Sequence, residues 1–133
     1  MNRGPLADIP VDDAEQLARF VLTERHVRKS DGTVRAEALI PSPHVELSVT
    51  RHRDLSDDEV WAVGEDVAKK RLKPLIGRAD VRAADARQQK LDVKPDEPPR
   101  NHANVLGWPP EKAFQMALAQ ELSTRTTFIS RRA

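Results

Sequence analysis

The cleanest pattern along the chain lies between His44 and His52. Val45, Leu47 and Val49 hold one parity, while His44, Glu46, Ser48, Thr50 and His52 hold the other, the period-two pattern of a strand with one buried face. Arg51 shares the apolar parity, so it either lies past the core edge or needs a buried partner such as a carboxylate. Four residues on, the period changes. Leu55-Ser56-Asp57-Asp58-Glu59-Val60 carries an N-cap serine, a glutamate placed to close a capping box and a Leu55/Val60 staple. The spacing predicts a helix over 57–72 that buries Val60, Val63, Val67, Trp61 and Leu72, with Pro74 as its stop.

Other segments follow the same logic. Ala14, Leu17, Ala18 and Val21 recur at helical spacing behind Asp12 and Glu15, which predicts a helix over 13–23. The competing reading is a strand over 19–23, turned by Asp31-Gly32 into a second strand over 34–40. Residues 75–77 and 91–93 read as short strands and 83–89 as a helical turn. Pro110-Glu111 opens a helix over 110–123 with Phe114, Ala117, Leu118, Glu121 and Leu122 on its stripe, and 126–129 reads as a last strand. The fold class expected is therefore α+β: one small domain over 12–130, a mostly antiparallel sheet and two helices packed on one face. Residues 1–11 read as a loose leader and 131–133 as a basic tail trailing into solvent.

Composition narrows the function. The chain has 133 residues, the size of one domain, and its core rests on aliphatic side chains because aromatics make up only 4%. A core this modest leaves room for self-association. With 22 basic and 21 acidic side chains there is no global field to draw in RNA or a membrane, so such binding would need a local patch. Absence of cysteine excludes a disulfide scaffold, a thiolate metal site and a thiol nucleophile. No apolar run is long enough for a membrane span, and Met1–Pro10 lacks the pattern of a signal peptide, so the cytoplasm is the expected compartment. Fifteen Arg against seven Lys, with plentiful Ala and Asp, matches a GC-rich bacterial genome.

Chemistry concentrates between residues 96 and 112. Pro98-Pro99 and Pro109-Pro110 stiffen the two ends of a predicted 98–109 loop that carries Arg100, Asn101, His102, Asn104, Gly107 and Trp108. Rigid loops present binding groups, and Trp and Arg are favoured at interface centres. The leading expectation is thus a non-catalytic binding or accessory module that engages a protein partner through Arg100, His102, Asn104 and Trp108. The alternative is a small enzyme or binder for a phosphate-bearing or nucleotide-like ligand, with His102 as acid or base and Arg51 and Arg78 as phosphate contacts. Further basic residues cluster at Lys69-Lys70-Arg71 with Lys73, and RNA is a possible ligand of such a patch.

His44 and Glu46, with His102 as third ligand, would be the nearest thing to a metal set. No known ligand spacing is present, and neither metal nor cofactor is expected. No phosphate-loop, dinucleotide-binding or nucleophile-elbow motif occurs. Ser/His/Asp sets are assembled from distant parts of a chain, and nothing in the sequence marks one. Pro98-Pro99, His102-Ala103-Asn104-Val105 and Trp108-Pro109 resemble, over about a dozen residues, the proline-rich approach and His-Pro-Asn region of ubiquitin-conjugating enzymes. That family requires a downstream cysteine, which is missing, and no residue role is transferred.

Overall fold

The computed structural model describes residues 9–131. Six strands form one sheet in the order β4-β5-β2-β1-β3-β6, antiparallel at every ladder. They are β1 (Gln16–Val21), β2 (Leu47–Arg51), β3 (Gly77–Arg82), β4 (Asp92–Pro95), β5 (His102–Leu106) and β6 (Thr127–Ser130). Three helices join them, α1 (Asp57–Lys70), α2 (Ala83–Gln88) and α3 (Lys112–Ser123), with short 3-10 turns at Glu24–His26 and Ala36–Leu39. The α+β class is as expected. Among the described residues no helix is long and apolar enough to cross a membrane.

Local chemistry sets α1. Ser56 Oγ accepts from the Glu59 amide at 3.1 Å and the Ser56 amide donates to Glu59 Oε1 at 2.8 Å, which satisfies two amides at the helix start. The helix ends before Leu72, which takes a φ of 54° and is 92% exposed instead of buried. Its buried side is Val60, Trp61, Gly64 and Ala68.

The 13–23 segment is a strand rather than a helix. Asp12 and Glu15 do bond, the Asp12 amide to Glu15 Oε2 at 2.8 Å, but they close a single turn. β1 lies between β2 and β3 and is covered on both faces, Leu17 and Val21 on one and Ala18 on the other. Buried positions of both parities then imitate the helical spacing. Residues 36–39 form the 3-10 turn instead of a strand, and before it Val34 makes only an isolated bridge to Val27. The N-terminal expectation changes too: Val11 is buried in the core, while residues 1–8 lie outside the described residues.

The two long helices pack on opposite faces, not one. Ala119 and Leu122 of α3 join Leu17, Leu47, Val49 and Val81, whose parity points one way. α1 meets the other parity: a Cβ on Gly64 would lie 2.7 Å from the Phe20 ring, and the Arg78 guanidinium sits 4.6 Å from the Trp61 ring centre. α3 is also rotated from its predicted stripe, burying Gln115, Ala119, Leu122 and Ser123 and leaving Phe114 60% exposed. Gln115 Nε2 donates to the Pro109 carbonyl at 2.8 Å, tying that polar side chain inward. Arg131 does not trail away but lies over Trp61 at 5.2 Å; Arg132 and Ala133 fall outside the described residues.

β6 depends on a glycine. A Cβ on Gly77 would lie 2.5 Å from the Ile129 carbonyl oxygen and 2.6 Å from the Phe128 ring. Gly77→Ala is expected to cost about 1–3 kcal/mol by overpacking. Hydrogen exchange should show the loss concentrated in the amides of 127–130; unchanged protection there would contradict this contact.

Candidate functional site

The six residues singled out from sequence separate in space. Arg51 is fully buried, with Nε and Nη2 each 2.8 Å from an oxygen of Glu15, and it donates further to the carbonyls of Ile9 and Pro10. Arg78 is 4% exposed and binds Asp57 and Asp80 while covering Trp61. Its hydrogen bond holds the Asp57 carboxyl below the usual range, against the opposing effect of desolvation. Both guanidinium groups are thus engaged by carboxylates and face away from a phosphate-binding role. Trp108 is 5% exposed, with Nε1 bonded to the Val105 carbonyl at 3.0 Å. It belongs to the core. Arg100 is the one of the six on the open surface, 3.8 Å from Glu59.

The predicted 98–109 loop is in fact a turn followed by β5. Asn101 sits at the turn with φ 66°, fully buried, and its Nδ2 donates to the carbonyls of Arg51 and Arg53 at 2.8 and 2.7 Å. This locks the turn against the end of β2. From there β5 runs between β4 and β2, with Thr50 opposite His102 and Ser48 opposite Asn104. All four share one parity, so the face holding Ser48 also holds His102 and Asn104.

His102 and Asn104 do come together, and they bring two residues the sequence did not place with them. Ser48 Oγ lies 2.6 Å from His102 Nε2. His102 Nδ1 lies 2.8 Å from the Asp96 carbonyl oxygen and 3.4 Å from Asp96 Oδ2, and Asn104 Nδ2 donates to that same Oδ2 at 2.9 Å. A carbonyl only accepts, so Nδ1 carries the ring proton of neutral His102 and Nε2 offers its lone pair to the Ser48 hydroxyl. His44 is not part of this set, and His52 pairs with Asp80 at 3.0 Å. Among the described residues no three His, Asp or Glu groups converge as metal ligands.

A groove of about 320 Å³ opens beside the Ser48–His102 pair, between α1 and the sheet. Its origin lies in the strands. β1 and β2 pair only at Leu17–Arg51 and Ala18–Thr50, then part. Arg19 fills the split, donating from Nε to the Ala38 carbonyl at 3.0 Å and from Nη1 to the Ser48 carbonyl at 3.1 Å. No carboxylate pairs with Arg19 among the described residues. Lys70, Arg71 and Lys73 line the same groove, as does His26, and no Asp or Glu among the described residues lines it. Burial, helped by the nearby Arg71 charge, lowers the Arg19 pKa to about 10, so it stays charged near neutral pH. Burial and Arg19 likewise push His26 down, with Glu37 opposing them. Part of the lysine charge answers the negative end of α1, but Arg19 stands on β1 and has no such role.

A second depression, about 470 Å³, lies near β6 and is walled by Val27, Leu75, Ile76 and Phe128. It is larger, and Glu24, Lys29, Ser130 and Arg131 complete its wall. Ser48 stands on the polar face of the predicted 44–52 strand, Arg19 falls in the segment expected as a helix, and Asp96 opens the 96–112 stretch without a role of its own in the pattern. No family model matches this chain, and no curated protein or solved structure matches it either.

Proposed function

We propose that this chain is a cytoplasmic bacterial protein that binds a small phosphate-bearing ligand in the groove between α1 and the sheet. One observation carries the reading: in a chain with nearly balanced charge, four basic side chains line one groove and no carboxylate among the described residues lines it with them. An Arg held partly buried without a carboxylate partner is poised for an anion, because its charge has been desolvated with only carbonyl oxygens to answer it. The volume suits a small molecule rather than an extended chain. Arg19, Lys70, Arg71 and Lys73 take the phosphate role in place of Arg51 and Arg78. The protein-partner reading has less support, since Trp108 and Asn104 are buried, His102 is half-buried and only Arg100 of its four residues is exposed.

The test is titration with inorganic phosphate, pyrophosphate and a nucleoside monophosphate, followed by amide NMR shifts. Saturable shifts are expected at Ser48, Thr50 and His102. The exposed triple variant Lys70→Ala, Arg71→Ala, Lys73→Ala should bind at least ~10-fold more weakly, since a hydrogen bond to a charged group contributes about 1.5–3 kcal/mol. Shifts that do not saturate, or that map elsewhere, would reject the reading.

A further inference from the structure

We propose that Ser48 is a nucleophile, activated by His102, that cleaves a phosphate monoester held in the groove. The inference rests on the anion-binding reading for its substrate class, and on separate geometry for its chemistry. Ser48 is exposed on the groove wall, and its hydroxyl meets the unprotonated nitrogen of His102 at 2.6 Å. The opposite nitrogen is committed to Asp96, so the ring has one orientation and one tautomer for receiving the serine proton. Asp96 Oδ2, steadied by Asn104, stands 3.4 Å from Nδ1 and stabilises the imidazolium that forms. Asp96 and Asn104 are positioning residues. Their geometry is fixed by the β4–β5 connection, where the Asp96 amide donates to the His102 carbonyl at 2.9 Å and the His102 amide to the Pro99 carbonyl at 3.1 Å.

Arg19 links this relay to the anion site, since its Nη1 is bonded to the carbonyl of Ser48 itself. Arg19 and Ser48 both line the groove, so a phosphoryl group bound there meets the guanidinium as well as the hydroxyl. In the first step a bond forms between Ser48 Oγ and phosphorus while the bond from phosphorus to the alcohol oxygen breaks. His102 Nε2 takes the serine proton and passes it to the departing oxygen. In the second, water attacks the phosphoserine, His102 takes a proton from that water, and Ser48 leaves and regains it. The sum is monoester plus water giving alcohol plus orthophosphate, with no redox partner.

Two reagents separate the nucleophile from the anion site. Diisopropyl fluorophosphate is neutral and needs only an activated serine; it should modify Ser48, located by peptide mass, with fluoride leaving. Ser48→Ala should lose this adduct, and His102→Gln should form it ~100-fold more slowly or worse, the usual contribution of a general base. Both positions lie on the groove wall, and circular dichroism with a denaturation midpoint establishes that each variant is folded. Asp96→Asn should move the pH profile of labelling to lower pH, because the imidazolium loses its stabilising charge; an unmoved profile removes Asp96 from the relay. The second reagent, p-nitrophenyl phosphate, should turn over in wild type and not in Ser48→Ala. If inorganic phosphate binds the groove but neither reagent reacts at Ser48, the nucleophile is overturned and the binding reading stands. If the neutral reagent labels Ser48 through His102 while phosphate does not bind, the monoester substrate is overturned.

Discussion

Glu15→Gln is expected to lower the unfolding free energy by about 3–5 kcal/mol, the cost typical of breaking a buried ion pair by removing one partner. Arg51 has no exposed surface, and its bidentate bond to Glu15 ties the guanidinium to a carboxylate that is itself nearly buried. A glutamine keeps the shape and removes the charge, so the buried guanidinium loses that bidentate carboxylate. Replacing both residues, Glu15→Leu with Arg51→Met, should cost much less than the single change, because no charge then remains to be desolvated. Urea midpoints at pH 7 decide this; a Glu15→Gln loss below about 1 kcal/mol would show that the pair contributes no more than a surface bridge.

The same pair carries a pH dependence whose sign follows from its geometry. Burial by itself would raise the Glu15 carboxyl, but hydrogen bonds from Arg51 and the Asp12 amide, with the charges of Arg51 and Arg53, outweigh it and hold the carboxyl below its ordinary value of 4.5. A group lowered in the folded state contributes stability that is fully present above its unfolded pKa and is lost as pH falls through the folded one. The difference in stability between wild type and Glu15→Gln should therefore be constant near neutrality and shrink below about pH 4.5.

Trp108→Ala is expected to cost about 3–5 kcal/mol, the range for truncating a buried aromatic. The ring is 5% exposed, shares its cluster with Leu91, Val93 and Val105, and satisfies its own N–H on the Val105 carbonyl. Chemical denaturation measures the loss. The result bears on function, since a Trp108 variant that drops a partner while losing this much stability reports unfolding rather than a missing contact. A loss under about 1 kcal/mol, with a partner lost as well, would return Trp108 to the interface and favour the protein-partner reading.

The legible parts were those whose causes are local. Ser56 and Glu59 are three residues apart and write the start of α1 directly. The alternation in β2 was readable because one of its faces is apolar over the core, and the parity of Arg51 left two outcomes, a place past the core edge or a buried partner, of which the structure has the second. The stiff 98–109 stretch, expected as a loop, has β5 in its middle, because Ala103 and Val105 find core neighbours on both sides. The Ser48–His102 pairing was beyond reach. Ser48 and His102 are 54 positions apart, and nothing near either residue says that β2 and β5 are neighbours or in which register.

The sequence by itself determined the α+β class, α1 with its cap, the face of β2 and the chemistry open to a chain without cysteine, because each depends on residue types and spacings within a few turns or strand lengths. Only the tertiary structure decided that 16–21 is a strand, since burial on both faces makes strand and helix patterns coincide. Tertiary structure also decided that α1 and α3 take opposite faces, that Arg51, Arg78 and Trp108 hold the fold together, and that Arg19, Ser48 and His102 meet at one groove with Asp96 bonded to His102. Those outcomes depend on strand order and register, which are fixed by contacts between distant segments and leave no trace in any one of them.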